Sequence, residues 1–265
     1  MPVLLSLILL LSLAEAFTLR LYLRERRERH QRNLTGDWPI LPVSPEVVDP
    51  SFRPGPFGPR LETEVMFLGK GPFDVQGSTS DAEAWILAVL AKRAQCLFEF
   101  GTCTGKTAYL WARNAPADAR VITLTLSPKE RSDYRQDAAD DARDTTAALS
   151  ESEYTSFLYS GTPVAAKIEQ LFGDSKALDV SRWAGQCDLV FVDGSHAYSY
   201  VMGDSQKALA LVRPGGLVLW HDYAGPRHSP GVYRALNELR EKLPLVRITG
   251  TMLVAYRRPE RSAAD

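Results

Sequence analysis

At 265 residues, 45% of them apolar and 24% charged, the chain has the size and composition of one globular domain with an extension, and neither a collagen-like repeat nor wholesale disorder fits it. A formal net charge of −1 excludes the basic footprint that nucleic-acid binding leaves on a domain. Cys96, Cys103 and Cys187 are odd in number and lack the paired short spacings of zinc or thioredoxin-like sites, so they imply neither a disulfide framework nor a structural metal and suit a reducing compartment.

From Val3 to Leu13 the chain is apolar apart from Ser6 and Ser12, and apolar positions continue to Leu23, interrupted by Glu15 and Arg20. About 20 such residues span a bilayer, so residues 1–33 are expected to form a membrane anchor with a basic juxtamembrane helix. Arg24, Arg26, Arg27, Arg29 and Arg32 follow the apolar run, and short basic flanks stay on the cytoplasmic side, which puts the downstream domain in the cytoplasm. Two other readings stay open: a signal peptide cleaved near Ala14-Glu15-Ala16, which lacks a basic leading region, and a peripheral amphipathic helix. Pro39, Pro42, Pro45, Pro50, Pro54, Pro56 and Pro59 mark residues 34–77 as a linker or a strap.

Ser80 and Glu83 have capping-box spacing ahead of an apolar face made by Trp85, Ile86, Val89 and Leu90, so a helix begins near Asp81. Short apolar runs predict strands at 96–100, 121–126, 168–172, 188–192 and 217–220, with helical stretches between several of them. That alternation predicts an α/β fold over residues 78–258, with a doubly wound, mostly parallel sheet covered on both faces and ligands above the carboxyl ends of its strands. Residues 132–152, rich in acids and alanine, read as an exposed helix with a loop and are assigned no chemistry. Leu245 to Ile248 and Met252 to Tyr256 flank Thr249-Gly250-Thr251 as a hairpin, which adds an antiparallel C-terminal strand. Residues 259–265 form a tail.

The first long strand runs into FEFGTCTGKT, Phe98 to Thr107. A P-loop needs four residues between its glycines, whereas Gly101 and Gly105 enclose three, and the dinucleotide fingerprint fails because Cys103 stands at its second glycine. Taken alone, the loop is equally a tight strand-to-helix turn.

Three more segments follow in order: LFGDS (Leu171 to Ser175), DLVFVDGSHAY (Asp188 to Tyr198) and RPGGLVLWHDY (Arg213 to Tyr223). With the glycine loop they resemble the class I S-adenosylmethionine-dependent methyltransferases, especially the sub-family that includes macrocin-type O-methyltransferases and cephalosporin hydroxylase-like proteins. The resemblance implies a seven-stranded Rossmann-like methyltransferase fold with S-adenosylmethionine as the methyl donor. It implies that Glu99, Gly101, Thr102, Cys103 and Gly105 hold the methionine part of the donor, and that Asp174 and Ser175 lie beside the adenine. Thr125 stands where the family carries a carboxylate for the ribose hydroxyls, and losing such hydrogen bonds costs roughly 1–3 kcal/mol.

In metal-assisted relatives of this fold, an acid after strand four and an acid-amide pair after strand five hold a divalent cation. Matching strand ends puts Asp193 at the first place, where it also borders the cofactor, and His221-Asp222 at the second, the histidine departing from the pattern. Oxygen-rich ligands favour magnesium or manganese, and His221 also admits a softer ion. His196 occupies the place of a lysine base in those enzymes; with Asp193 it makes the expected catalytic pair, since imidazole accepts protons near neutral pH. The other reading is that Asp193 and Ser195 cap the following helix while His196 packs at its first turn. The function implied is O-methylation of a small hydroxylated acceptor. The alternative from another class is a membrane-tethered binding module that keeps the fold without turnover, with Thr125 as its sign. A hydrolytic or hydroxylase reaction is the third reading, and no motif sets an oligomeric state.

Overall fold

Eight strands build the sheet: β1 (Pro42–Val43), β2 (Cys96–Phe100), β3 (Arg120–Thr125), β4 (Ile168–Phe172), β5 (Cys187–Val192), β6 (Val212–Trp220), β7 (Val246–Ile248) and β8 (Val254–Arg257). Their order is β1-β7-β8-β6-β5-β2-β3-β4, seen in a computed structural model that describes residues 15, 17–23, 38–73 and 79–260. The chain divides into two units, Met1–Pro39 and Ile40–Asp265, and the sheet belongs to the second. Residues 17–23 are helical. The apolar run at residues 3–13 and the arginine-rich stretch from 24 to 32, on which the anchor expectation rests, lie outside the described residues, as do residues 261–265 of the tail. Among the described residues, no helix is long and apolar enough to cross a membrane.

The inner strands are near-continuous apolar runs, as a parallel sheet covered on both faces requires. Side chains alternate between faces: Leu97, Val121, Leu189, Phe191, Leu217 and Leu219 share one core with Ile86, Leu87, Ala108 and Trp111. Those partners come from helices α2 (Asp81–Ala91) and α3 (Lys106–Asn114). On the opposite face Phe98 packs edge-on against Trp183, and Trp220 Nε1 donates to Ser205 Oγ at 2.8 Å. Ser205 lies on α5 (Tyr198–Leu211), which packs on α6 (Pro230–Leu239).

β2, β3, β4, β5 and β6 are mutually parallel, while β8 runs antiparallel to both β6 and β7. The hairpin is therefore present, turning through Gly250 at φ 79°. The count of seven strands is corrected to eight, because β1 comes from the proline-rich stretch and pairs parallel with β7. An edge position tolerates Pro42, which has no N–H to give to a ladder. The same stretch carries a helical turn, α1 (Pro45–Val48), and buries Ile40, Val48 and Phe52. Asp49 pins it by accepting from Arg93 at 2.9 Å and from Arg257 at 3.1 Å.

Helix α2 begins at the expected box. Ser80 Oγ accepts from the Glu83 N–H, and the Glu83 carboxylate accepts from the Ser80 N–H. The 132–152 region departs from its expected bland role. It forms a short helix, α4 (Ala142–Glu151), whose last residue reaches the mouth of the sheet.

Candidate functional site

Two cavities open side by side above the carboxyl ends of the strands, the place where doubly wound sheets bind their ligands. Both are lined by Gly101, Cys103, Glu151 and Asp193. The chain must turn tightly where they meet. Gly101 has φ 100°, and a Cβ there would lie 1.9 Å from the Asp193 carbonyl oxygen; no other residue fits. Gly105, at φ 81°, caps the start of α3, where a Cβ would press on Phe157 and Tyr159.

Thr125, Asp174 and Ser175 line the first cavity, together with Leu124, Leu126 and Tyr134. Asp174 accepts from the Lys176 N–H at 3.0 Å and so fixes the turn after β4. Tyr134 stacks on Tyr200 at 4.4 Å and donates to or accepts from Ser195 Oγ at 2.8 Å. Asp204, which the sequence reading passed over, also lines this cavity although only 2% exposed.

Thr102, His196, His221 and Asp222 line the second cavity with Thr79, Lys106 and Thr107. Glu99 and Gly105 border neither. Glu99 is buried beneath the loop, where Thr123 Oγ1 donates to it at 2.5 Å and Thr102 Oγ1 meets Thr123 Oγ1 at 2.8 Å. Burial pushes its carboxyl up to about 8, against the Thr123 hydrogen bond, so it serves as a neutral acid supporting the loop from below. Burial also pushes the Cys103 thiol up to about 12, which leaves it inert as a nucleophile.

His221 stands at the centre of the charged cluster. Its Nδ1 lies 3.0 Å from Asp193 Oδ1 and 3.1 Å from Asp222 Oδ2, and its Nε2 lies 3.3 Å from Glu83 Oε2. Burial opposes charge on this imidazole, but the carboxylates of Asp222 and Asp193 hold its pKa well above the ordinary value. Burial would raise Asp222 and Glu83 too. The His221 and His196 charges hold Asp222 well below the carboxylate range, and the His221 imidazolium beside Glu83 brings its carboxyl down to about 2. Asp193 is raised, burial outweighing His221. Asp222 has φ 58°, a conformation costing about 1 kcal/mol or more in a non-glycine residue. Hydrogen bonds to its carbonyl from Ser229 Oγ at 2.5 Å and the Ala224 N–H at 2.6 Å hold it there.

His196 Nε2 lies 2.8 Å from Asp222 Oδ2. Burial disfavours its charge, but the Asp222 charge and hydrogen bond outweigh burial and push it up to about 9. Asp193 is turned toward His221, whereas Ser195 Oγ accepts from the Ala197 N–H at 3.2 Å before α5 begins. Glu151 reaches the cluster from α4, pushed up to about 7 by burial. Only the fold of the 132–152 region brings it there, since a lone glutamate ending a polar helix carries no motif.

Asp193, His221 and Asp222 each offer a ligand atom, all within 4.8 Å of one another. The donor set suits a divalent ion, and Glu83 faces the far nitrogen of His221 as a carboxylate commonly does behind a metal-binding imidazole. A proton on Nδ1 and a metal ion would compete for the same place between the two aspartates.

A family model described as a methyltransferase domain matches residues 98–223. No curated protein matches the chain. Similar solved structures include the O-methyltransferase TomG from Streptomyces achromogenes in complex with SAM, at 24% identity and TM-score 0.47, covering 68% of this chain and 82% of that one. The SAH-bound methyltransferase PaMTH1 of Podospora anserina is 17% identical with TM-score 0.48, covering 70% and 81%. An O-methyltransferase from Bacillus cereus in complex with SAH is 18% identical with TM-score 0.45, covering 69% and 84%.

Proposed function

With residues 98–223 a methyltransferase domain of class I architecture, we propose that the chain transfers the methyl group of S-adenosylmethionine to a hydroxyl of a small acceptor. The observation that carries this reading is the meeting of the two cavities at Gly101, Cys103, Glu151 and Asp193. The first cavity, with Thr125, Asp174 and Ser175, takes the adenosine. The second takes the methionine end and the acceptor, so the reacting atoms fall at the shared residues. The donor supplies an electrophilic methyl group when bound. The chain's own residues supply position and proton transfer, which is where most of the rate comes from in such a displacement.

His196 was the base expected from the sequence, but an imidazole with its pKa near 9 already carries a proton at neutral pH. In our reading it acts as a cation that, paired with Asp222, stabilises negative charge growing on the acceptor oxygen. Glu151, with its carboxyl near 7 and on the boundary between the cavities, takes the proton. Asp193, His221 and Asp222 would hold a magnesium or manganese ion in place of the His221 proton; that ion would take over the stabilisation of charge on the oxygen and, by drawing on Asp222, lower the His196 pKa.

Calorimetry with S-adenosylmethionine, with and without magnesium or manganese, tests the reading. Micromolar binding is expected; no binding under any of these conditions would favour the module without turnover. The apolar run at residues 3–13 and the arginines behind it support membrane tethering, with the catalytic unit on the cytoplasmic side. Full-length protein should stay with membranes through a high-salt wash, and complete release by salt would remove that part of the proposal.

A further inference from the structure

Cys96 begins β2 and Cys187 begins β5, adjacent parallel strands in which Leu97 pairs with Leu189. Side chains alternate along a regular strand, so counting back from that pair would send the two cysteines to opposite faces of the sheet. The pairing of β5 with β6 shifts register between Cys187 and Leu189, which breaks the alternation. The two sulfurs meet, Sγ to Sγ at 3.3 Å, although the residues are 91 positions apart in the chain.

A disulfide needs Cα atoms about 4.4–6.8 Å apart and an S–S bond of about 2.05 Å. Neighbouring strands lie about 4.8 Å apart, which suits the first condition, and sulfurs already in contact need only side-chain rotation for the second. Asp188 holds the strand ends in place. Its Oδ2 accepts from the Gln95 N–H at 2.7 Å and the Cys96 N–H at 2.9 Å, and its Oδ1 from Arg213 Nε at 2.6 Å.

The two thiols are unequal. Cys187 is fully buried, whereas Cys96 is partly exposed. The hydrogen bond from the Cys187 thiol lowers the Cys96 pKa, with the Arg120 charge helping and burial and the Asp188 charge opposing; the same bond and burial raise Cys187. An accessible sulfur with thiolate character beside a buried thiol is the arrangement of an attacking and a resolving cysteine.

We propose that Cys96 and Cys187 are a redox modification site, closed by hydrogen peroxide into a disulfide that staples β2 to β5 and reopened by a dithiol. The Cys96 thiolate attacks one peroxide oxygen, the O–O bond breaks, and the departing hydroxide takes up the proton Cys96 had released, as water. The Cys187 sulfur then attacks the sulfur of the Cys96 sulfenic acid; the S–O bond breaks and a second hydroxide leaves with the Cys187 proton, again as water. The two thiols have lost two electrons and the peroxide has gained them. The bond lies at the amino ends of the strands, away from Gly101 and Asp193 beyond their carboxyl ends. By joining distant residues it restricts the unfolded chain and so stabilises the fold.

The test is treatment of the reduced full-length protein with stoichiometric hydrogen peroxide, followed by thiol counting in denaturant, peptide mapping and thermal melting. The chain's three thiols should fall to one, a Cys96–Cys187 linked peptide should appear, and the melting temperature should rise by about 5 °C or more. Dithiothreitol should reverse all three changes. In Cys187→Ala, Cys96 should be trapped by dimedone as the sulfenic acid, with no cross-link and no rise in melting temperature. Three thiols surviving in the wild type overturn the proposal, and so does oxidation of Cys96 to the sulfinic acid without a cross-link. A cross-link through Cys103 or between two chains overturns it as well, and a Cys96–Cys187 bond that lowers the melting temperature removes the staple. These wild-type readings decide the matter even where the variant fails to fold.

Discussion

The two cavities share four residues but are walled in opposite ways. The one assigned to adenosine is framed by Phe100, Leu124, Leu126 and a Tyr134–Tyr200 stack, with Asp174 and Asp204 among its walls. The other is walled by Thr79, Lys106 and Thr107 and by a tight cluster of His196, His221, Asp193 and Asp222. An apolar slot selects by shape and by a few hydrogen bonds, so single changes there alter affinity by modest factors. A cluster of mutually compensating buried charges behaves otherwise: removing one member leaves its partners unpaired, and the loss is large.

The largest effect is therefore expected at Asp222, which meets both His196 and His221. Asp222→Ala should lower methyl transfer by roughly 10²–10³-fold, measured as single-turnover rate, while S-adenosylhomocysteine still binds. A rate within tenfold of wild type would break the contrast between the cavities.

Next comes the comparison of Glu151 with His196. Glu151→Gln should cost about 100-fold in kcat and abolish the rise of rate with pH near 7 that the raised carboxyl predicts. His196→Ala should keep that rise while slowing the reaction. The reverse pattern would return the role of base to His196.

On the adenosine side the effect is smaller. Thr125→Asp should tighten S-adenosylmethionine binding by about tenfold, the scale of one charge-assisted hydrogen bond to a ribose hydroxyl. Unchanged or weaker binding would mean that the Thr125 side chain, which lines the cavity at 9% exposure, does not face the ribose.

The smallest effect concerns Glu99 under the loop. Its folded-state pKa, about 8, lies above the ordinary value of 4.5. Between those values the folded chain keeps a proton that the unfolded chain has released, so this group's contribution to stability is full below 4.5 and declines as pH rises toward 8. Glu99→Gln keeps the neutral hydrogen-bonding form, so it should flatten that decline and raise the melting temperature above pH 8 by roughly 2–4 °C. A lower melting temperature at that pH would show that the carboxylate form is the one the loop needs.

Much of the architecture was legible in the sequence because burial on both faces writes itself as uninterrupted apolar runs. Residues 96–100 and 168–172 were bounded as the strands are, and the Ser80–Glu83 box marked the start of its helix. β1 was not legible. Two residues, one of them a proline, carry no periodic signal, and only the edge of β7 turns them into a strand. The site divided along the same line. Asp193, His196, His221 and Asp222 follow strand ends, where local sequence order and sheet order coincide. Glu83 and Glu151 sit on helices and gain their roles from what the fold sets opposite them.

By itself the sequence determined the buried parallel strands, the glycine turn at Gly101 and the acids and histidines that follow β5 and β6, because each is marked by its neighbours along the chain. The tertiary structure alone decided their charge states. His196 holds its proton because Asp222 lies 2.8 Å away, Glu99 keeps its own because it is shut beneath the loop, and Glu151 meets the cluster because α4 ends against it. Protonation depends on distance and burial, and neither is written in the order of residues.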